Sequence, residues 1–438
     1  MRLVLAIFFA ATLATMNAYM QSAAQLAEIW DHHHVSRIFP SNVRHSDLKK
    51  SLDELKKLGV KVDEVGRSFA DREIYQVEFG KGPLRVFLWS QMHGDEPTAT
   101  SALIDMFAYF QTHRDKDWVK KIESTLTIRA VPMLNPDGAE AYQRRNLQGI
   151  DINRDAVNLT TPEARLLKKL RDDWTPAIGF NLHNQQALTT VGRTGKQAAI
   201  SILVVYGDAA KTPSAGLERN TRVASAMIDA LNNFIPGYIG RYEDEYTASA
   251  FGDNFSAWGT PVILIETGAL YGRDEMYLVK MNFIAIVTAL NSLATGSERT
   301  QSTMPYLSLT ENGSGGIRNF IFRHATIRES TENENLLIAD VGVNTERRRA
   351  SFAAPSFIRD VGSLSGIQGL EEYDATGFTM VQRLGKLKVG ELAEFLFYRN
   401  DRVIDWRSAD LEKSFPPDAV FSAGKWSKGG GVVPKVKR

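Results

Sequence analysis

The chain has 438 residues, 43% of them hydrophobic, which is ample for a large core and longer than one ordinary domain. Its 52 basic and 51 acidic residues nearly cancel, so nothing in the charge calls for nucleic acid or a strongly acidic partner. The absence of cysteine excludes disulfides, thiolate metal sites and cysteine nucleophiles, and neither a GKS/T phosphate loop nor a GxSxG serine is present.

Residues 1–24 combine one arginine, an apolar core and small residues at Ser22 to Ala24. That pattern predicts a secretory leader cleaved after Ala24, hence a secreted or periplasmic protein; a buried first helix is the other reading. His32, His33 and His34 cannot all face one ion, and they are predicted to form a solvent-facing turn. Four short apolar runs, Leu84 to Trp89, Leu126 to Leu134, Ala177 to Leu182 and Pro261 to Glu266, read as buried strands. Helical patterns lie between them at Thr98 to Phe110, Pro162 to Trp174 and Leu217 to Leu231, with a closing helix near Phe283 to Leu293. No run after the leader is long enough to span a bilayer. The alternation predicts an α/β fold, a mixed but mainly parallel sheet flanked by helices, over residues 25–300. Glu311 to Gly316 is a turn-rich break, followed by alternating and β-branched runs that predict a small β-rich accessory domain over 301–425. The Gly-rich, basic stretch 426–438 reads as a flexible tail.

Polar groups gather where the strands end: HGDE (His93 to Glu96), NPDG through GIDINRD (Asn135 to Asp155), NLHN around His183, and IETG around Glu266. In parallel sheets ligands bind outside the carboxyl ends of strands. A catalytic zinc takes three protein ligands, commonly two His and one Glu, and keeps a position for water. His93 and Glu96, three residues apart at a strand-to-helix turn, together with His183 from another strand end, supply that set for one zinc ion. Glu266 is then free to act as general base on a water that the metal acidifies. Asp151 is placed to accept the other ring N–H of a ligand histidine. Taken singly, each group also has a structural reading, as a hydrogen-bonded core histidine or a salt-bridged glutamate. A carboxylate directly after an apolar strand is costly to bury without a partner, and the conjunction at four strand ends favours the metal site.

In this order, HxxE, NPDG, an Arg-rich stretch with GxDxNRD, a strand ending in His and a strand ending in Glu, the chain resembles the zinc carboxypeptidase family over roughly Val43 to Leu293. WSQMHGDEPTAT looks most like its bacterial secreted or envelope members. The resemblance implies His93, Glu96 and His183 as zinc ligands and Glu266 as the catalytic base. It implies Asn153 and Arg154 as the pair that grips a substrate's terminal carboxylate, and Arg145 or its neighbour Arg144 as the arginine that polarises the scissile carbonyl. Tyr246 is similar to the mobile tyrosine that closes over substrate, with Tyr242 nearby. Asp95, the NLHNQQ stretch and Asp155 depart from the best-known digestive enzymes without removing a ligand or the base. Near Gly252 the sequence shows no clear pocket for a substrate side chain. The expected activity is hydrolysis of the last peptide bond of a peptide with a free carboxyl terminus. A zinc amidase acting on peptidoglycan stem peptides or N-acyl amino acids, and an inactive binding protein with a metal pocket, are the alternatives.

Overall fold

The computed structural model describes residues 19–328, 336–383 and 385–436. Most of the predicted leader, residues 1–18, lies outside the described residues. Two compact units are present, the first formed by Met1–Ala187 with Lys196–Asn312 and the second by Leu188–Gly195 with Gly313–Arg438. The division thus falls after Asn312 rather than at 300, and an eight-residue stretch from the middle of the chain joins the second unit.

The strands of the first unit are β1 (Lys61–Arg67), β2 (Glu73–Gly80), β3 (Leu84–Ser90), β4 (Leu126–Val131), β5 (Ile178–Asn184), β6 (Ile200–Val205), β7 (Ile239–Arg241) and β8 (Val262–Thr267). They form one sheet in the order β1-β2-β4-β3-β5-β8-β6-β7. The pairs β3/β4, β3/β5, β5/β8 and β6/β7 are parallel, while β1/β2, β2/β4 and β6/β8 are antiparallel. This is the α/β architecture expected from the alternation of elements.

Because side chains alternate across a strand, each central strand serves two cores. Val86, Leu88, Phe180 and Ile263 face a cluster covered by helices α1 (Ala23–His33), α2 (His45–Lys57), α3 (Thr98–Thr112), α4 (Asp117–Thr125), α7 (Ala215–Leu231) and α9 (Glu275–Thr295). Phe87, Trp89, Leu203 and Leu264 face the other side, where α6 (Pro162–Trp174) and α8 (Phe251–Ala257) contribute Leu167, Trp174, Phe251 and Phe255. A short α5 (Pro136–Ala141) follows β4. Helix α6 starts where Thr161 accepts the Ala164 N–H, with Pro162 in its first turn, a sequence-encoded start signal. Helix α9 is 21 residues long and apolar enough to cross a membrane by length and composition, but 83% of its apolar window is buried against the sheet and its neighbours, the environment of a core helix.

The three consecutive histidines end α1 instead of forming a turn: His32 and His33 occupy its last turn and His34 is its C-cap. His34 stacks on Trp30 at 4.0 Å between ring centroids. Ser22 and Gln25 form a reciprocal capping box at the start of the same helix, so the last residues of the predicted leader are part of its N-terminus.

The second unit carries β9 (Ile317–Arg328), β10 (Leu336–Thr345), β11 (Ser356–Gly362), β12 (Gln368–Asp374), β13 (Phe378–Gln382), β14 (Phe395–Arg399), β15 (Ala419–Ser422) and β16 (Lys425–Lys428). Their order is β11-β10-β9-β13-β14-β15-β16, with β12 also paired to β9. The expected flexible tail 426–438 is corrected here. Lys425–Lys428 pairs with β15, Val433 is buried, and the Val436 N–H donates to the Glu372 carbonyl. The physical reason is Trp426, whose ring packs against Phe322, Tyr373, Phe397 and Phe421 and pins the tail to the core.

Phe322 is the hub of that core, fully buried and touching the rings of Tyr373, Phe395, Phe397, Phe421 and Trp426. Phe322→Ala removes every one of these contacts and leaves a cavity, so it is expected to cost about 3–5 kcal/mol. Urea unfolding followed by near-UV circular dichroism checks this; a loss below ~1 kcal/mol would show that the cluster collapses to fill the space.

Candidate metal centre

The site is built where two turns press backbone against backbone. After β3 the chain takes a left-handed step at Gln91 (φ 51°), which starts the turn that carries His93 to Glu96. A Cβ on Gly94 would stand 1.9 Å from the Gly138 carbonyl carbon and 2.3 Å from the Ala139 nitrogen, so only glycine fits there. Asn135 clamps the two turns: its Oδ1 accepts the Gly138 N–H at 2.8 Å and its Nδ2 donates to the Met92 carbonyl at 3.2 Å. Asp137, fully buried below, accepts from Ser68 Oγ, the Ala70 N–H and Arg72. NPDG is therefore scaffolding that fixes the HGDE turn.

On this support three ligand-type groups converge, with the candidate ligand atoms of His93, Glu96 and His183 all within 4.8 Å of one another and all buried. Glu96 Oε1 lies 2.8 Å from His93 Nδ1 and its Oε2 lies 2.7 Å from His183 Nδ1. The two Nδ1 atoms are 3.1 Å apart. Two imidazole nitrogens facing each other that closely need a proton or a cation between them, since two lone pairs would repel. His183 Nε2 is buried with no hydrogen-bond partner among the described residues, and Nδ1 is the atom this ring presents to the cluster. The other nitrogen of His93 lies 3.0 Å from Asp151 Oδ1, the expected arrangement for orienting a ligand imidazole. Two imidazoles and one carboxylate fit a divalent cation of the zinc type and leave room for a water.

Electrostatics at the three groups favour positive charge between them. Burial opposes a charged His93 ring, yet the neighbouring Glu96 and Asp151 push its pKa up to about 9. Burial also works against ionised Glu96, but the two histidines hold its carboxyl well below the usual range. Burial keeps the His183 ring below the ordinary histidine value. The guanidinium of Arg144 completes the cluster, with Nε donating to Asp151 Oδ2 at 3.0 Å and Nη1 lying 3.3 Å from Glu96 Oε1 and 3.2 Å from His93 Nδ1.

Glu266 reaches the same face by register. It is the parallel partner of His183 across β5 and β8, and it is only 7% exposed. Of the two adjacent arginines, the structure brings Arg144 to the cluster, whereas Arg145 is exposed and donates to the Gly149 carbonyl in its own loop. Asn153 accepts the Phe251 N–H on Oδ1 at 2.9 Å, which leaves its Nδ2 as the free end of the amide. Arg154 is exposed, with one donor on the Asn153 carbonyl at 2.8 Å. Tyr246 and Tyr242 are both half-buried, and Tyr242 is the one whose phenol feels the charges of the cluster. It packs on the Phe251 and Leu264 cluster, and burial together with the charges of Glu266 and Glu96 pushes its phenol upward. Tyr242 stands just after β7, on the sheet face that carries Glu266, a placement set by strand pairing and not by local sequence.

The pH behaviour follows from His93. In the metal-free protein its raised pKa contributes stability that is complete below the ordinary value of 6.5 and lost as pH rises through about 9. A cation must displace that proton, so apparent zinc affinity should rise from pH 6.5 to about 9 and level off above it. Competition titration with a chromogenic chelator measures this, and a flat profile over that range would show that His93 is already neutral.

Residues 48–186 match the family model described as zinc carboxypeptidase. Among curated proteins, the probable carboxypeptidase 2 of Arthroderma benhamiae is 30% identical over 109 residues, covering 25% of this chain and 20% of that protein. Carboxypeptidase SOL1 of Arabidopsis thaliana is 26% identical over 149 residues, covering 29% of this chain and 30% of that protein. The chain thus spans about a fifth to a third of the length of these relatives. Solved structures with similar folds include a metallo-carboxypeptidase from Burkholderia cenocepacia (TM-score 0.46, 15% identity, 57% of this chain and 69% of that one). Another is a metallo-carboxypeptidase from Pseudomonas aeruginosa (TM-score 0.45, 15% identity, 58% of this chain and 69% of that one). The stretch 48–186 that is similar to the zinc carboxypeptidase family contains all three converging groups, His93, Glu96 and His183.

Proposed function

We propose that this protein is an exported, zinc-dependent metallocarboxypeptidase that removes the last residue of peptides with a free carboxyl terminus. The observation that carries this reading is the convergence of His93, Glu96 and His183 with Arg144 beside them and Glu266 in register with His183. One zinc ion per chain, held by the two Nδ1 atoms and Glu96, would supply a Lewis acid that polarises a carbonyl and acidifies water.

The chain's own residues then divide the remaining work. Glu266, buried beside the ligands, takes the proton of the attacking water and hands it to the departing amine. Arg144, already lying against Glu96, presents a fixed positive charge to the carbonyl oxygen as it gains negative charge, and this is the role assigned to it in preference to Arg145. Asn153 Nδ2 and the remaining N–H groups of Arg154 have no partner among the described residues, and together they form a donor set for a planar carboxylate. The tyrosine that closes over substrate is assigned to Tyr242 or Tyr246, which flank the acidic stretch Glu243 to Glu245. The leader in residues 1–24 is read as the export signal.

Mass spectrometry of peptide pairs, each with a free and an amidated terminus, tests the reading. Single residues should be lost from the free ends only, and a chelator should stop the loss. Glu266→Gln should lower kcat by about 10²- to 10⁴-fold with zinc content unchanged. Cleavage of neither form would redirect the assignment to stem peptides or acylated amino acids, and full activity in Glu266→Gln would remove this residue as the base.

A further inference from the structure

Helix α1 is fastened to its neighbours at both ends, and the upstream fastening uses residues that a cut after Ala24 would remove. The buried Asn291 of α9 commits both ends of its amide there: Nδ2 donates to the Tyr19 carbonyl at 3.0 Å and Oδ1 accepts the Gln21 N–H at 3.2 Å. Ser22 then caps the helix, its Oγ accepting the Gln25 N–H at 3.2 Å and its carbonyl accepting the Leu26 N–H at 3.0 Å. Tyr19 and Ala23 pack against the same core cluster that Leu26, Ala27 and Trp30 enter. At the far end, Asp105 of α3 accepts from Trp30 Nε1 at 3.0 Å and from the N–H groups of Val35 and Ser36.

A chain beginning at Gln25 keeps the far fastening and loses the near one. Asn291 loses both of its amide partners, and the first helical turn loses the Ser22 side chain and carbonyl that accept its N–H groups. The new α-amino group, charged at neutral pH, would sit at the positive end of the helix dipole. Removing Tyr19 and Ala23 also uncovers part of the apolar cluster beneath them. Ser22-Ala23-Ala24 has the small residues of a cleavage signal, yet in the fold the same three are the N-cap and the first two positions of α1, where serine and alanine are favoured for helical reasons.

A processing enzyme meets the chain before it folds, so these contacts do not shield the bond after Ala24; they decide which product folds stably. Upstream of Tyr19, small residues suited to the last position of a leader stand at Ala14, with Thr12 two places before it, and at Ala18. Both follow the apolar run Leu3 to Ala11. We propose that the leader is cut upstream of Tyr19, after Ala14 or Ala18, so that Tyr19 to Ala24 stay with the exported protein as the clamp and cap of α1. The cut itself rests on the export reading of residues 1–24, whereas the need for Tyr19 to Ala24 stands on the contacts alone.

The full-length chain, produced in a bacterial host with its own N-terminus and recovered from the periplasm, is weighed by intact mass spectrometry. Its mass should be that of a chain beginning at Thr15 or Tyr19, and a chain beginning at Gln25, or at any other residue after Tyr19, overturns the proposal. A chain that is never cut overturns the proposed cut and counts against the export reading with it. Thermal unfolding then decides the role of Tyr19 to Ala24 separately, using chains that start at Tyr19 and at Gln25. The shorter one should melt about 5 °C lower, the combined effect of a lost cap and two lost hydrogen bonds. Asn291→Ala should lower Tm by about 2 °C in the longer chain and by less than half of that in the shorter, where its partners are already gone. Equal Tm values for the two chains, or an equal effect of Asn291→Ala in both, would show that Tyr19 to Ala24 are dispensable and overturns their assignment to the fold.

Discussion

The contact on which the centre depends contains no side chain. Gly94 and Gly138 let the turn after β3 lie directly on the turn that opens α5, at a separation that a single methyl group would prevent. Everything chemical follows from that approach. It sets His93 and Glu96 at the mouth of the strands, and Asn135 ties both turns together through its amide. It also fixes the start of the loop that returns Arg144 and Asp151 to His93. The buried Asp137 beneath it is held by Ser68, Ala70 and Arg72, so the platform is anchored to the β1–β2 connection as well. A turn lacking those anchors would have to find its own bonds for several buried backbone groups.

The charge balance explains why such a platform is needed. Glu96, Asp151 and Glu266 place three buried carboxylates within one small region, and Arg144 with a protonated His93 offsets only part of their charge. Buried carboxylates of this kind are stable when paired or when they coordinate a cation. The proton that His93 holds in the metal-free state marks the place where positive charge is most wanted. Exchanging it for a divalent ion raises the local charge by one unit while using the same three ligand atoms. The site is therefore already arranged for its ion, and little reorganisation is required to accept it.

Much of this was legible along the chain because strands and their polar ends are local features. The apolar runs before His93, Asn135, His183 and Glu266 became β3, β4, β5 and β8, and the pattern from Pro162 to Trp174 became α6 with those bounds. Lateral order was not legible: nothing local says that β8 lies between β5 and β6, and only that order makes Glu266 a neighbour of both His183 and Ser201. Arg144 and Arg145 are indistinguishable by composition, and what separates them is that Arg144 meets Glu96 and His93, groups about fifty residues away in sequence. The tail after 425 looked solvated because its lysines and glycines outnumber its apolar residues, yet Trp426 and Val433 suffice to bind it to the second core. Composition averages over a segment, whereas packing responds to one or two anchors.

On the proposed carboxypeptidase function, discrimination at the substrate's end would follow from the direction of hydrogen bonds. Asn153 has already spent its acceptor on the Phe251 N–H, so the face it turns outward is a donor, and Arg154 can only donate. A free carboxylate meets this pair with acceptors alone and can be held in a planar, charge-assisted arrangement. An amidated end brings N–H groups of its own toward N–H groups, leaving donors unpaired on both sides. Unpaired polar groups cost more than the matched bond returns, so selection is enforced mainly by the penalty on the wrong end. The orientation of one asparagine amide, set by a backbone N–H from α8, is therefore what would separate the terminal bond of a peptide from an internal one.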